Sequence, residues 1–99
     1  MSHKSKGQTL TIRIDTDSGG VYLGLREDLK AVRTEVRQQW PLVAVDFSKN
    51  GTLIGVEAVG MAAVNIGEIC RIAKVRFTAA AIKGATIRSE ALEREAVCA

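Results

Sequence analysis

The chain has few cysteines, prolines, histidines and aromatic side chains, and each shortage excludes a class of site. It holds two cysteines, one histidine and one proline in 99 residues. Cys70 and Cys98 form no CxxC pair, which argues against a structural zinc site. No apolar run approaches the roughly 18 to 20 residues that span a bilayer, and polar residues between Gly7 and Asp15 interrupt any stretch typical of a secretory signal. We therefore expect a cytoplasmic protein with reduced thiols and without a metal or cofactor.

What remains is the composition of one ordinary globular domain with a small basic excess. Hydrophobic residues make up 46% and charged residues 25% of the chain, which argues against collagen-like, low-complexity and wholly disordered classes. A chain of 99 residues has no room for a separate substrate domain. Fourteen basic against eleven acidic residues give a net charge of +3, a milder bias than that of a nucleic-acid-binding tail.

Hydrophobic periodicity divides the chain into short strands followed by one helix. Residues 1–8 are polar and small, which predicts a flexible N-terminus, and residues 9–78 form the predicted single α+β domain. Alternation of apolar and polar residues predicts the strands, and turn formers at 15–20 and at Trp40-Pro41 separate them. The predicted strands cover residues 9–14, 21–25, 30–36, 42–47 and 52–59.

The pair Asn50-Gly51 predicts a tight hairpin, because both residues tolerate the positive φ angles of a type I′ turn. A two-residue loop gives one wholly apolar face, whereas a three-residue loop would bury Glu57 there unless a bulge corrects the parity. We therefore expect the two-residue loop. It sets Lys49 opposite Thr52, Phe47 opposite Ile54, Val45 opposite Val56 and Val43 opposite Ala58. The other face then carries the mixed set Leu42, Ala44, Asp46, Leu53, Gly55, Glu57 and Val59.

After Gly60 the period changes to that of a helix. Asn65 followed by Glu68 fits a capping box, and apolar residues from Ile66 to Phe77 recur on one side, with Cys70 among them. We predict a helix over 66–77 that covers the apolar sheet face. The tail, residues 79–99, is expected to be helical or partly disordered, with Ser89 as a helix cap. The predicted fold is thus α+β, a small antiparallel β-meander of four to five strands with one face covered by a C-terminal helix.

Two segments, residues 12–25 and 45–59, together resemble the small bacterial family catalogued as domain of unknown function 2283. The resemblance covers about residues 10–60, and the chain departs from the family pattern at Gly20 and in its long tail. It implies a small antiparallel meander with a helix, and it implies no established activity. Some members of the family are thought to accompany small toxin-like proteins, so the resemblance also implies an antitoxin-like binding role. The matching positions are Asp15, Tyr22, Leu23, Asp46, Gly51, Gly55 and Glu57.

Three groups of residues are candidates for a functional site. Asp46 and Glu57 share one predicted sheet face and are the carboxylates available for acid–base catalysis. The glycines match neither GxGxxG before a helix nor the P-loop pattern, so we interpret them as turns and one close backbone approach. Apolar residues of the mixed face and tail are candidates for a homodimer interface, namely Leu42, Leu53, Val59 and Ile82. Basic residues of the segment 71–88 suit phosphates or an acidic protein surface; they are Arg71, Lys74, Arg76, Lys83 and Arg88.

From these residues we expect a non-enzymatic protein-interaction module that forms a homodimer and binds a small protein partner. Two alternatives stay open. One is a nucleic-acid-binding protein that uses the basic segment, against which the aromatic content of 4% argues because stacked bases need aromatic side chains. The other is a small enzyme built on Asp46 and Glu57.

Overall fold

The computed structural model of the chain describes residues 9–90, which form one mixed sheet and two short helices. The predicted flexible segment 1–8 and the part of the predicted tail from residue 91 onward lie outside the described residues. The elements are β1 (Thr11–Asp15), β2 (Val21–Gly24), β3 (Arg33–Gln39), β4 (Leu42–Phe47), β5 (Leu53–Val59), α1 (Ile66–Ala73), α2 (Ala79–Lys83) and β6 (Thr86–Glu90).

The six strands lie in the order β3-β4-β5-β2-β1-β6. Strands β1 to β5 pair antiparallel, as predicted, but β6 pairs parallel with β1, so the prediction of a purely antiparallel meander is wrong. Two parallel strands of one sheet need a long connection that crosses over a face. The segment with α1 and α2 supplies that connection between β5 and β6, because β5, β1 and β6 all run in one direction.

The β4–β5 hairpin keeps the predicted apolar face but reaches it through a different turn. Val43 lies opposite Ala58 and Val45 opposite Val56, as expected. The loop has three residues, since the Ser48 N–H donates to the Thr52 carbonyl at 2.9 Å. A bulge next to the turn corrects the parity.

That bulge moves two residues from their predicted positions. Phe47 pairs with Leu53 instead of Ile54. The register shifts between Phe47 and Asp46, so Asp46 still lies opposite Gly55. Leu53 therefore packs against the core beside Phe47 and not on the mixed face. Ile54 is buried, and its carbonyl accepts hydrogen bonds from the N–H groups of Leu25 and Arg26 at 2.8 and 3.0 Å.

One face of the sheet and the two helices enclose the core. Helix α1 lies against β3 and β4, and its residues Ile69 and Ala73 are fully buried. From burial of this kind we expect about 1.5 to 3 kcal/mol for each large aliphatic side chain. The buried side chains from the strands are Ile12, Val21, Leu23, Val43, Val45, Val56 and Ala58.

Helix α1 begins as predicted and ends early. The Asn65 Oδ1 accepts a hydrogen bond from the Glu68 N–H at 3.0 Å, which satisfies a donor of the first turn. Lys74 then adopts a left-handed conformation with φ 61°, and the Val75 N–H donates to the Cys70 carbonyl, a hydrogen bond that closes the last turn. The predicted extension to residue 77 is therefore wrong.

The first part of the predicted helical tail contains a short helix and a strand. Thr78 caps α2, because its Oγ1 accepts from the Ala81 N–H at 3.0 Å. Gly84 ends the helix, and Ser89, expected as a helix cap, lies in β6 opposite Ile14. Among residues 9–90, no helix is long and apolar enough to cross a membrane.

Candidate binding site

The face of the sheet opposite α1, which we call the open face, carries polar side chains from neighbouring strands. Strand pairing places Arg13 next to Tyr22, and Tyr22 next to Glu57. It places Thr34 next to Asp46, which in turn lies opposite Gly55. These residues come from five strands of the sheet, so the open face assembles groups that are far apart in the sequence.

Tyr22 and Asp46 form the centre of a hydrogen-bond network on this face. The Tyr22 hydroxyl donates to Asp46 Oδ2 at 3.3 Å, and the Thr34 hydroxyl donates to Asp46 Oδ1 at 2.6 Å. A side chain at Gly55 would overlap the Tyr22 phenol, so the glycine allows the ring to lie on the β5 backbone. Burial and the nearby Asp46 carboxylate raise the pKa of Tyr22 far above its ordinary value.

Arg13 flanks the other side of Tyr22 and already has an acidic partner. Its guanidinium carbon lies 5.2 Å from the centre of the Tyr22 ring, within the range of a cation–π contact. Its Nη2 lies 2.7 Å from Glu27 Oε2. The Arg13 Nε is buried and has no hydrogen-bond partner among the described residues.

A cleft of about 340 Å³ opens beside this network. Two carboxylates, from Asp15 and Glu57, line it together with the Arg13 guanidinium, which Glu27 offsets. Asp15 also holds the β1–β2 turn, since its carboxylate accepts hydrogen bonds from the Asp17 N–H and the Ser18 hydroxyl. The other lining residues are Ser18, Gly20, Val21, Tyr22 and Val59.

Glu57 differs from these residues because its carboxylate has no partner within residues 9–90. It projects from the middle of β5, is exposed, and makes no hydrogen bond or ion pair with another residue of the described range. A carboxylate at the centre of a sheet without a counter-charge leaves its full charge available to a ligand. The cleft is therefore acidic, although the whole chain is basic with a net charge of +3.

The pair of carboxylates predicted for catalysis shares the open face but not the cleft. Asp46 lies opposite Gly55, and Glu57 lies opposite Ala44 on the same pair of strands. Both oxygens of Asp46 accept hydrogen bonds from side chains. Glu57 lines the cleft and Asp46 does not. Neither Arg13 nor Arg33 pairs with these two carboxylates, because their partners are Glu27 and Glu35.

The five basic residues predicted as phosphate contacts are divided between two regions. Arg71 and Lys74 lie at the end of α1, and Arg71 Nη2 is paired with Glu68 Oε2 at 2.5 Å. Arg76 follows α1, and Lys83 ends α2. Arg88 lies apart from these four, in β6 next to Arg13. The basic residues thus form no single cluster.

The predicted interface residues are also dispersed. Leu42 and Val59 face each other across β4 and β5, and both are half-buried on the open face. Leu53 packs against the core, and Ile82 is exposed on α2. Cys70 packs against the core as predicted, where burial raises the pKa of its thiol, whereas Cys98 lies outside the described residues.

Sequence reasoning missed the residues that build the site around Glu57. The family resemblance includes Tyr22 but gives it no role. No sequence pattern pointed to Thr34, which donates a hydrogen bond to Asp46, or to Glu27, which pairs with Arg13. The one usable signal was Gly55, since a glycine inside a strand indicates that another group approaches the backbone closely. Comparisons of this chain with models of protein families, with curated proteins and with solved structures found no match. The resemblance to the family of unknown function therefore stays a prediction.

Proposed function

We propose that this chain is a non-enzymatic protein-binding module whose open face accepts a basic side chain and adjoining apolar groups of a partner protein. The observation that carries the proposal is the unpaired, exposed carboxylate of Glu57 in an acidic cleft. An ammonium or guanidinium group from a partner complements this charge. Phosphate groups are repelled by the same carboxylates, so the cleft favours protein over nucleic acid.

Apolar groups beside the cleft complete the surface. Leu42 and Val59 face each other and are half-buried, and Val59 also lines the cleft. Protein interfaces commonly surround a charged contact with apolar area that excludes water from it. A partner that covers Leu42 and Val59 would therefore strengthen a salt bridge to Glu57.

A binding role accounts for this face better than catalysis does. Catalysis by two carboxylates needs both at one substrate, with environments that drive their pKa values apart. Asp46 is instead held by Thr34 and Tyr22 outside the lining of the cleft. We assign Asp46 the task of positioning Tyr22, which forms a wall of the cleft.

Three narrower expectations belong to this proposal. The resemblance of residues 10–60 supports an antitoxin-like module that binds a small protein. The low cysteine count supports a cytoplasmic location. The small size of the core supports burial of further surface in an oligomer.

The proposal is tested by titration calorimetry with three probes at low salt. They are a short amidated peptide of alternating arginine and leucine, the matching peptide of glutamate and leucine, and a short DNA duplex. We expect saturable binding of the basic peptide alone. Glu57→Gln should weaken it by about twofold to fivefold, which corresponds to the loss of one exposed charge pair of about 0.5 to 1 kcal/mol.

Asp28→Asn is the matched control, because it removes an exposed carboxylate outside the open face and should leave binding of the basic peptide unchanged. Binding of the duplex in place of the basic peptide would overturn the proposal. It would favour the alternative in which Lys74, Arg76 and Lys83 contact phosphates, and affinity would then fall steeply with salt.

A further inference from the structure

The beginning of edge strand β3 is complementary to itself when two copies run antiparallel. We propose that residues 32–36 pair with the same residues of a second copy of this chain, so that the two sheets join through β3. The inference does not depend on the proposed function, because it uses the edge of the sheet and not the cleft.

Strand β3 is the outermost strand on its side of the sheet. Its outer side has no neighbouring strand among residues 9–90, which leaves backbone N–H and C=O groups available for another strand. The Val32 N–H donates inward to the Phe47 carbonyl at 2.9 Å. The Ser48 N–H points toward β5, so by alternation Phe47 and Val45 face β3, and their partners Arg33 and Glu35 face β4. Thr34, which lies between them, therefore directs its N–H and C=O groups outward.

Two exposed valines lie at this edge among polar and charged side chains. Val32 and Val36 are each 57% exposed. Val36 lies opposite Ala44 on the open face, and Val32 directly precedes the first residue of β3. β-branched side chains are stabilised in a sheet by a cross-strand neighbour. Within the described part of the chain, the outer side of β3 offers them no such neighbour.

One register satisfies all of these side chains together. When the two copies are related by a two-fold axis at Thr34, Val32 lies opposite Val36 of the second copy. Arg33 then lies opposite Glu35 of the second copy, and the symmetry repeats both pairs. Apolar groups meet apolar groups, and each basic group meets an acidic one.

Neighbouring registers are disfavoured by charge or by the pleat. An axis at Arg33 sets Arg33 opposite itself, and an axis at Glu35 sets Glu35 opposite itself, where like charges destabilise the pair. An axis between two residues brings side chains of opposite sheet faces together, which the period of a strand does not allow. The sequence of this edge thus selects the register centred on Thr34.

A bulge limits the pairing to this stretch. The register of β3 against β4 shifts between Val36 and Gln38, so alternation breaks at Arg37, directly after the complementary residues. Within one copy Glu35 contacts Arg33 at 3.0 Å and Arg37 at 3.1 Å. These are exposed ion pairs that contribute little to stability on their own. In the dimer, Glu35 can stay paired with Arg37 of its own chain while Arg33 pairs with the second copy.

The resulting dimer leaves the clefts accessible. A two-fold axis perpendicular to the sheet keeps both helical layers on one side and both open faces on the other. The cleft residues belong to β1, β2, β5 and the β1–β2 turn, and β4 separates them from β3. The pairing surface also differs from the interface that the sequence suggested through Leu42, Leu53, Val59 and Ile82.

Sedimentation equilibrium of the full chain tests the pairing. We expect a monomer–dimer equilibrium, and Glu35→Arg or Arg33→Glu alone should raise the dissociation constant about tenfold or more, since each change opposes like charges twice. An equal mixture of the two variants should restore dimers, because arginines of one chain then face glutamates of the other. The double variant R33E/E35R should also restore them.

Asp28→Arg is the matched control, as it changes net charge like Glu35→Arg at an exposed site in the loop between β2 and β3, outside the paired residues 32–36, and should leave dimerisation unchanged. Circular dichroism of each variant confirms that it is folded. A wild-type chain that stays monomeric would overturn the proposal. So would dimers that persist in both single variants, or single variants whose mixture does not recover dimers.

Discussion

The hydroxyl of Tyr22 lies between a glycine backbone and a carboxylate, and its surroundings keep it protonated. Burial is the larger cause of its raised pKa, and the charge of Asp46 is the second. A raised pKa means that the folded state holds the phenol proton more tightly than the unfolded state does. This contribution to stability is complete below the pKa of an unfolded tyrosine, about 10, and is lost as the pH rises above it.

Asp46→Asn should lower the pKa of Tyr22 toward its ordinary value without reaching it, because burial remains. Tyr22 is the one tyrosine of the chain, so ultraviolet absorbance of the phenolate reports it directly. The native protein should show little phenolate at a pH where the protein unfolded in urea is fully ionised. An identical titration curve for the wild type and Asp46→Asn would contradict the role given to Asp46.

Gly55 should not accept even a methyl group. A Cβ there would overlap the Tyr22 phenol and lie 2.8 Å from the Leu23 carbonyl oxygen, and the backbone oxygen has no room to move aside. Gly55→Ala should therefore lower the free energy of unfolding by about 1 to 3 kcal/mol in urea denaturation.

Gly67→Ala is the control for this substitution. Its Cβ would make an ordinary contact with Asn65 Oδ1 at 3.5 Å, and alanine should stabilise α1 by up to about 1 kcal/mol. Equal effects of Gly55→Ala and Gly67→Ala would contradict the close approach of Tyr22 to Gly55.

At the scale of single residues, sequence patterns predicted location better than role. Asp46 and Glu57 were correctly placed on one sheet face, because side chains alternate along a strand and the bulge next to the turn offsets the longer loop. That Asp46 is occupied while Glu57 is unpaired depends on Tyr22 and Thr34, which come from other strands. Contacts between strands distant in sequence leave no trace in local spacing.

Among the elements, the β4–β5 hairpin gives a sharp test of turn type. Gly51 has φ +82°, whereas Asn50 is not among the residues of positive φ in the described range. Gly51→Ala should cost about 1 to 2 kcal/mol of stability, since an L-residue is strained there. Asn50→Ala should change stability by no more than about 0.5 kcal/mol. Similar losses for both variants would indicate the two-residue type I′ turn instead.

Helix α1 depends on its N-cap residue, Asn65, in a way that is equally measurable. The Asn65 side chain accepts the Glu68 N–H, and a lost cap costs about 1 kcal/mol. Asn65→Ala should lower the free energy of thermal unfolding by that amount, whereas Asn65→Ser, which keeps an acceptor, should recover most of it. Equal losses for alanine and serine would contradict capping by this side chain.

Strands with strong alternation and helix caps were predictable, but the elements after residue 78 were not. β4 was predicted at its observed bounds, and α1 at its observed start. β6 lies in the tail predicted to be helical or partly disordered, and it becomes a strand because β1, far earlier in the chain, offers it an edge. Strand formation depends on such neighbours more than on intrinsic preference.

Over the whole molecule, the crossover and the distribution of charge are linked. The connection from β5 to β6 places both helices on one side of the sheet, and carries Lys74, Arg76 and Lys83 there. The opposite face keeps the acidic cleft. A chain with a net charge of +3 can therefore present an acidic site to a basic partner, a separation that net charge does not reveal.

Chemical-shift mapping of the ¹⁵N-labelled protein with the arginine–leucine peptide tests the binding site most directly. The proposed function predicts saturable shifts at the amides of Tyr22, Glu57 and Val59, and their loss in Glu57→Gln. Shifts confined to residues 71–83, or shifts around the cleft that persist undiminished in Glu57→Gln, would contradict it.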